Sequence, residues 1–340
     1  KTSTQSEWNQ KDFRYFSKGV IALNEGFTQS RQQTKLNYFQ DPVLRSGYLS
    51  YFLIVNAMKM RLVLSKYHPQ ERLKKIYSIA DIGAGPLTMT LGWLFWFLET
   101  HGTQLTKPAT KDEGSQVTVY VDVFEQNKKI IIDGMRLIQE YLNALGLTSV
   151  IKLVMKPVVC NLNRVKFKAN NYDYVLCGNV FNEYHERQDQ WELAQNLIRA
   201  FSGKYTKIII LEPASKKISR DLQALRDLII EKTKLGVIAP CLHQHQCPLN
   251  ITAKGDWCNF QERWQAPGFI KRFDELTQLK KTYLMYSFLF LASSVVIEDR
   301  PVNQFVAISD LMMAKGRREV VGCGGAGRIR FIRSNKDESE

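Results

Sequence analysis

Thiols and imidazoles are concentrated in one short stretch, Pro240-Cys-Leu-His-Gln-His-Gln-Cys-Pro-Leu249, followed by Asp256-Trp-Cys-Asn-Phe260. It holds Cys241, Cys247 and Cys258, three of the chain's six cysteines, and His243 and His245, two of its five histidines. Cysteines gathered in a polar, proline-containing segment form disulfides in an oxidising compartment or hold a metal centre in a reducing one. Pairing inside the stretch would leave an odd thiol, and six cysteines in 340 residues are too sparse for a disulfide-stapled scaffold. A metal centre is the better expectation. The spacing Cys241-x5-Cys247-x10-Cys258 is wider than the Cys-x2–4-Cys pairs of zinc ribbons. The fourth ligand is open between His243, His245 and a distant thiol. Cys323 is the distant thiol to consider, because the glycines of Val321-Gly-Cys-Gly-Gly-Ala-Gly327 let backbone approach a bulky centre. Four thiolates at irregular gaps suit an iron–sulfur cluster, and they also suit zinc. Trp257 and Phe260, beside Cys258, read as an apolar shield for such a centre. Cys160 and Cys177 read instead as small buried residues.

A second chemical signal is Asp81-Ile-Gly-Ala-Gly-Pro86, set between an apolar strand and an apolar helix. Gly83 permits a tight turn, Gly85 lets backbone come close to a ligand, and Pro86 suits the first position of a helix. Thr88 stands where a nicotinamide-binding loop has its third glycine. Asp81 with Gly-x-Gly resembles the first motif of S-adenosylmethionine-dependent methyltransferases, in which this loop wraps the methionine part. That motif implies an acid at the end of the second strand for the ribose hydroxyls. Glu125 fits the place, with Asp122 three residues earlier as the alternative. On the acceptor side the run Asp173-Tyr-Val-Leu-Cys-Gly-Asn179-Val-Phe-Asn182-Glu183 lacks the Asn/Asp-Pro-Pro-aromatic signature of enzymes that methylate base amines. Asn179, Asn182 and Glu183 are candidates to contact cofactor or substrate, and equally serve as a helix cap and a solvated acid.

The elements that must position these residues read as α/β. Residues 1–75 form an N-terminal helical unit, with Asp41-Pro42 as a start signal for a helix over Leu44–Lys66. Strands at Ile76–Ile82, Val117–Phe124, Ile151–Val159, Tyr172–Leu176 and Lys207–Leu211 alternate with helices at Leu87–Thr100, Lys128–Leu145, Gln188–Phe201 and Ile218–Lys234. Near-continuous apolar strands alternating with helices predict a parallel, doubly wound sheet. His101–Gln116 reads as a polar surface loop, Gly268–Lys281 as a helix and Tyr283–Leu291 as a strand. The core is expected over 76–300 with the cysteine segment inserted at 239–264, and 301–340 as a small β-rich extension with strands at Phe305–Ile308, Arg318–Val321 and Gly327–Ile332.

Composition narrows the partners. Lys+Arg 47 against Asp+Glu 33 gives a net charge of +14, which favours a polyanion such as nucleic acid. Between Lys315 and Lys336 lie Lys315, Arg317, Arg318, Arg328, Arg330, Arg333 and Lys336 against the single acid Glu319, interleaved with Ile329 and Phe331. Such a surface suits phosphate contacts, and equally a solvated edge that discourages strand pairing. No apolar run reaches the roughly 18–20 residues of a membrane span. A reducing compartment is expected, the cytoplasm or alternatively the mitochondrial matrix. The chain starts at Lys1 rather than Met, which leaves room for a leader removed ahead of it.

Taken together, Asp81-Ile-Gly-Ala-Gly-Pro86, Glu212-Pro213, the helix carrying Arg226, Ala239-Pro-Cys-Leu-His243, Cys247-Pro-Leu249 and Trp257-Cys-Asn-Phe260-x2-Arg263 resemble the methyltransferase-like proteins of the ribosomal small subunit. That family comprises mitochondrial small-subunit assembly factors and shorter bacterial relatives, and the likeness spans roughly residues 40 to 330. The resemblance implies a class I S-adenosylmethionine methyltransferase-like Rossmann core and a [4Fe-4S] cluster on Cys241, Cys247, Cys258 and Cys323, with zinc as the alternative. It also implies association with small-subunit ribosomal RNA, either to assist assembly and translation or as an active ribosomal RNA methyltransferase. Asp81, Gly83, Gly85, Pro86, Glu125 and Asn179 then become the S-adenosylmethionine-binding residues.

Overall fold

A computed structural model describes residues 8–28, 38–68, 72–105, 116–251, 255–279, 281–294, 303–309 and 311–334. The chain opens on helix α1 (Gln10–Thr28) and α2 (Pro42–Gly47), then a π-helical turn (Tyr48–Phe52) that leads into α3 (Leu53–Tyr67). Asp41 caps α2 by accepting the Val43 and Leu44 N–H groups at 2.7 and 3.0 Å, as the Asp-Pro signal suggested. These helices have no separate core. Val20, Leu23, Tyr51, Met60 and Leu64 are buried in the same cluster as Tyr77, Ile79, Trp93, Val119 and Phe288 of the sheet layer.

The α/β unit follows as β1 (Ile76–Ile82), α4 (Thr88–Leu105), β2 (Val117–Glu125), α5 (Lys128–Ala144), β3 (Ile151–Val159), β4 (Tyr174–Gly178), α6 (Arg187–Phe201), β5 (Lys207–Glu212), α7 (Lys216–Lys232), β6 (Leu235–Ala239), α8 (Pro248–Ile251), β7 (Phe260–Arg263), α9 (Gly268–Thr277) and β8 (Tyr283–Ser293). The strands lie in the order β3-β2-β1-β4-β5-β8-β6. The first five are mutually parallel, and β8 runs antiparallel between β5 and β6. This is the doubly wound, methyltransferase-like arrangement expected. Its strand order reverses between β1 and β4, and in such sheets ligands bind beyond the carboxyl ends of the strands at that point. A four-stranded antiparallel sheet closes the chain, with β10 (Met312–Ala314), β11 (Arg317–Gly324) and β12 (Gly327–Ser334) in order and β9 (Phe305–Ala307) pairing β11.

Several expectations need correction. The helix drawn over 218–234 ends at Lys232, and residues 235–239 form edge strand β6. Thr233 turns the chain by accepting the Leu235 N–H on its hydroxyl. The helix drawn to Lys281 stops at Thr277, because Gln278 takes a left-handed conformation at φ 57°. His101 is a buried residue of α4 packed on Phe97 and Trp96, so the polar run begins later than its composition suggested. Residues 106–115 and Lys336 lie outside the described residues. Among the described residues no helix is long and apolar enough to cross a membrane.

Candidate cofactor cleft and cysteine centre

The glycine loop leaves β1 at the switch point. Gly83, Gly85 and Leu87 all have positive φ, at 61°, 53° and 59°. A Cβ on Gly83 would stand 2.6 Å from Val180 Cγ2, so both the backbone and the space demand glycine there. Pro86 is not the first helical residue as expected. Leu87's left-handed geometry delays the helix to Thr88, and Pro86 lies in the turn with its backbone against Gly134 of α5. Asp81 caps α4 from the strand, its Oδ2 accepting the Thr90 N–H at 3.0 Å and the Thr90 hydroxyl at 2.6 Å. Its other oxygen, Oδ1, is buried without a partner. Burial, opposed by the Thr90 bonds and reinforced by the Glu125 carboxylate, pushes the Asp81 carboxyl up to about 7.

Glu125 stands at the end of β2. One oxygen accepts the Gly85 N–H at 3.0 Å and the other the Asn127 N–H at 2.9 Å. Asn127 in turn caps α5. Asp122 is engaged by the Tyr172 hydroxyl at 2.5 Å, which leaves Glu125 as the acid beside the loop. An open cavity of about 490 Å³ adjoins it, lined by Phe39, Gln40, Arg45, Gln126, Asn127, Lys128 and Lys129. That volume is in the range of small-molecule sites. The N-terminal helical region, which carried no chemical signal in sequence, supplies part of this wall. Arg45 is held by Asp133 at 3.6 Å and by the Phe39 carbonyl at 3.2 Å. The Phe39 ring sits 3.3 Å from where a Cβ on Gly85 would be.

Beyond β4 the chain turns sharply at Asn179, whose φ of 57° is tolerated better by asparagine than by most residues. Buried Glu212, at the end of β5, gathers this turn by accepting N–H groups of Val180, Phe181 and Asn182 and the Asn182 side-chain amide at 2.8–3.2 Å. Asn182 is thereby used within the protein. Glu183 is solvent-exposed, yet neighbouring protein and then the Glu125 carboxylate push it up to about 7; its exposure tempers the first cause. Burial, outweighing its hydrogen bonds, raises Glu212 from the ordinary 4.5 to about 7. The folded state therefore holds that proton longer than the unfolded chain. Its contribution to stability is full at low pH and declines as pH rises from 4.5 to about 7. Glu212→Gln is expected to make this decline shallower and, by confronting N–H donors with an amide, to cost about 1–3 kcal/mol at pH 8, measured by urea melts at stepped pH.

The cysteine stretch is positioned by α7. Leu222, Leu225 and Ile229 recur at helical spacing and pack on the sheet. The flank of the same helix serves the loop that follows β6. Arg226, 1% exposed, donates to the His243 carbonyl at 2.7 Å, to the His245 carbonyl and to Asp227 at 2.7 Å. Asp227 accepts the Cys247 N–H at 3.0 Å and the Asn250 amide at 2.9 Å. Arg220 donates to the carbonyls of Asp256 and Leu249, and Ser287 of β8 donates to the Cys258 carbonyl at 2.9 Å. Cys323 arrives from β11, where it pairs with Val306 and Arg328.

The four thiols share one electrostatic neighbourhood. Cys258 is raised well above its ordinary value by burial, then by Cys241, Cys323 and Cys247. Cys323 goes up to about 12 by burial, Cys241 and Cys247, and Cys247 to about 11 by burial and Cys241. His243 is not part of this coupling. Burial, Arg226 and His245 lower it to about 4, which keeps it neutral. The apolar shield also differs from expectation. Cys247, Cys258 and Cys323 pack with Leu249, Val306, Ile308 and Val321, whereas Phe260 turns to the main core against Tyr286 and Phe288. Among the described residues no group of three or more His, Cys, Asp or Glu side chains is gathered to hold a metal ion.

Residues 112–293, just over half of the chain, match the family model for the mitochondrial small ribosomal subunit protein Rsm22. Among solved structures, the plantazolicin methyltransferase BpumL with SAH is 12% identical, covers 83% of this chain and 98% of its own, and has a TM-score of 0.37. The mitomycin 7-O-methyltransferase MmcR is 9% identical over 84% of this chain and 69% of its own, with a TM-score of 0.37. Likenesses at that level say nothing of ligand or substrate. No curated protein matches. By the extent of the family match, the chain belongs to the family of mitochondrial small ribosomal subunit Rsm22 proteins.

Proposed function

We propose that the chain binds S-adenosylmethionine and an iron–sulfur cluster, associates with small-subunit ribosomal RNA in the mitochondrial matrix, and assists assembly of the small subunit. The observation that carries the preference for binding over catalysis is the use of Asn182 and Glu212. Asn182, an acceptor-side candidate, is taken up by Glu212 in holding the turn after β4. The family match supports the small-subunit partner.

The residues of the cleft fit the methyl donor. Gly83 and Gly85 let main chain approach it closely, and the unpartnered Oδ1 of Asp81 offers a carboxylate oxygen to an ammonium group. Glu125 keeps lone pairs for ribose hydroxyls beside its two N–H donors, and Asn179 turns the chain at the end of β4, beside β1. When bound, S-adenosylmethionine supplies an electrophilic methyl group. The donor set of the second centre fits a cluster in chemical kind. Cys241, Cys247, Cys258 and Cys323 would hold it, and burial together with the neighbouring thiols pushes Cys247, Cys258 and Cys323 up. Four thiolates so placed need a cationic centre to compensate them, and a bound cluster supplies that charge. Cys160 and Cys177 stand apart from the coupling.

One observation favours the enzyme reading. Glu183, an exposed acid just after the β4 turn that its surroundings and then the Glu125 carboxylate push up, is suited to take a proton from an acceptor. Gly83→Ala separates the two readings. It is expected to abolish S-adenosylmethionine binding by calorimetry, since the new methyl meets Val180 in a left-handed backbone. Small-subunit assembly, followed by sedimentation, should fall with it. Loss of a mapped ribosomal RNA methyl group with assembly intact would establish the enzyme instead.

A further inference from the structure

The cations of the C-terminal sheet are partly neutralised within the protein. Arg317 and Arg330 both pair with Glu319, and Arg328 pairs with Asp256. A different row of cations is less committed. Between β3 and β4 the chain runs through Arg164-Val165-Lys166-Phe167-Lys168, and no acid occurs from Tyr141 to Tyr172. Exposure alternates along it: Arg164, Lys166 and Lys168 are exposed, while Val165 and Phe167 are half-buried. The Phe167 ring packs on Phe124 and Phe201 at 5.5 and 5.0 Å, which anchors the segment to the core. Alternation of this kind sets the three cations along one side, roughly 7 Å apart for an extended chain. Among the described residues none of the three makes an ion pair or a side-chain hydrogen bond.

The row also starts at the cleft. Leu162 Cδ1 lies 3.5 Å from where a Cβ on Gly83 would stand, and the Cys160 N–H bonds the Glu125 carbonyl at 3.1 Å. We infer that Arg164, Lys166 and Lys168 are a rail for the phosphates of single-stranded nucleic acid, leading one end of the strand to the mouth of the cofactor cleft. This rests on the nucleic-acid partner proposed above. A linear row of point charges follows a single backbone. A membrane surface would need apolar groups beside the cations, and here Val165 and Phe167 are turned into the protein.

The test uses the full chain and a labelled oligouridylate, with affinity measured against salt. Arg164→Gln/Lys166→Gln/Lys168→Gln removes three phosphate contacts. The slope of log K against log salt should fall by about 2, and affinity near 0.1 M salt by about a hundredfold. A melting temperature equal to the parent's shows that the exposed changes leave the fold intact; if the triple variant melts early, the single reversal Lys166→Glu is read instead. An unchanged slope in the rail variant, with binding lost in Arg318→Gln/Arg333→Gln, overturns the rail and leaves the nucleic-acid reading standing. A parent chain that does not bind, or binds without salt dependence, overturns both. Polyglutamate competing as well as RNA assigns the row to an acidic protein and overturns the inference.

Discussion

Anaerobically purified full-length chain is expected to carry iron and inorganic sulfide in near-equal amounts with a broad visible absorbance, and Cys258→Ser to lose all three. Cys258 is the buried thiol whose ionisation is opposed by all three of Cys241, Cys323 and Cys247. Cys160→Ser and Cys177→Ser should keep full occupancy, because neither is raised by any of the four. Zinc at one equivalent without iron would remove the cluster from the proposal, and Cys323→Ser with full occupancy would remove that ligand. The structural consequence is larger than the loss of a cofactor. Three of the cysteines follow β6 beside α7, while Cys323 lies on β11 of the C-terminal sheet. Structural metal centres contribute on the order of 10 kcal/mol to folding in small domains. Without one, the C-terminal sheet is held here by the Arg328–Asp256 pair and by the packing of Leu249, Val306, Ile308 and Val321. Limited proteolysis should therefore cut Cys258→Ser within 305–334 well before the α/β core. Equal cleavage of the two regions would refute the idea that the centre clasps them together.

Arg226→Ala is expected to lower stability by about 3–5 kcal/mol, the usual cost of taking one partner from a buried ion pair. For a chain of this size that is a fall in Tm of about 4–7 °C. The side chain leaves two carbonyls, of His243 and His245, without their donor, and Asp227 without its charge partner. It also removes the one cation that eases ionisation of Cys258 and Cys323. Metal content should thus drop together with Tm. Arg226→Lys tests the geometry, since an ammonium keeps the charge but lacks the planar fork that reaches both carbonyls. It should recover part of the metal and little of the Tm. If Arg226→Ala melts within about 1 kcal/mol of the parent, α7 does not organise the cysteine loop.

Much of the fold was legible from periodicity. The strands β1 and β5 are short, apolar and buried on both faces, which writes their positions into composition, while β2 and β3 toward the sheet edge still show as apolar runs bounded by polar turns. The misread places are those where a single backbone angle or a long-range bond decides. Leu87 at positive φ moved the start of α4 past Pro86, and Gln278 ended α9 early. Strand β6 was not legible in the sequence, because its five residues beyond the expected helix end at Lys234 are extended through pairing with β8. The Gln244 side chain supports that pairing by bonding both the N–H and the carbonyl of Val237.

The candidate sites divide in the same way. Sequence by itself determined which residues carry chemistry, since a Gly-x-Gly turn after a strand, an acid at the end of the next strand and a knot of cysteines are local facts of type and spacing. Tertiary structure decided what surrounds them. Arg226 became the organiser of the cysteine loop because helical geometry puts it on the buried flank of α7, one turn from Leu222 and Ile229, where the loop after β6 meets the helix. Phe39 and Arg45 became walls of the cleft because the N-terminal helices share the core of the sheet. The apparent basic strength of the tail was reduced by Glu319 and Asp256, and the row at Arg164, Lys166 and Lys168 emerged from alternating exposure. Burial and pairing are sums over neighbours distant in the chain, and only the folded chain fixes which neighbours those are.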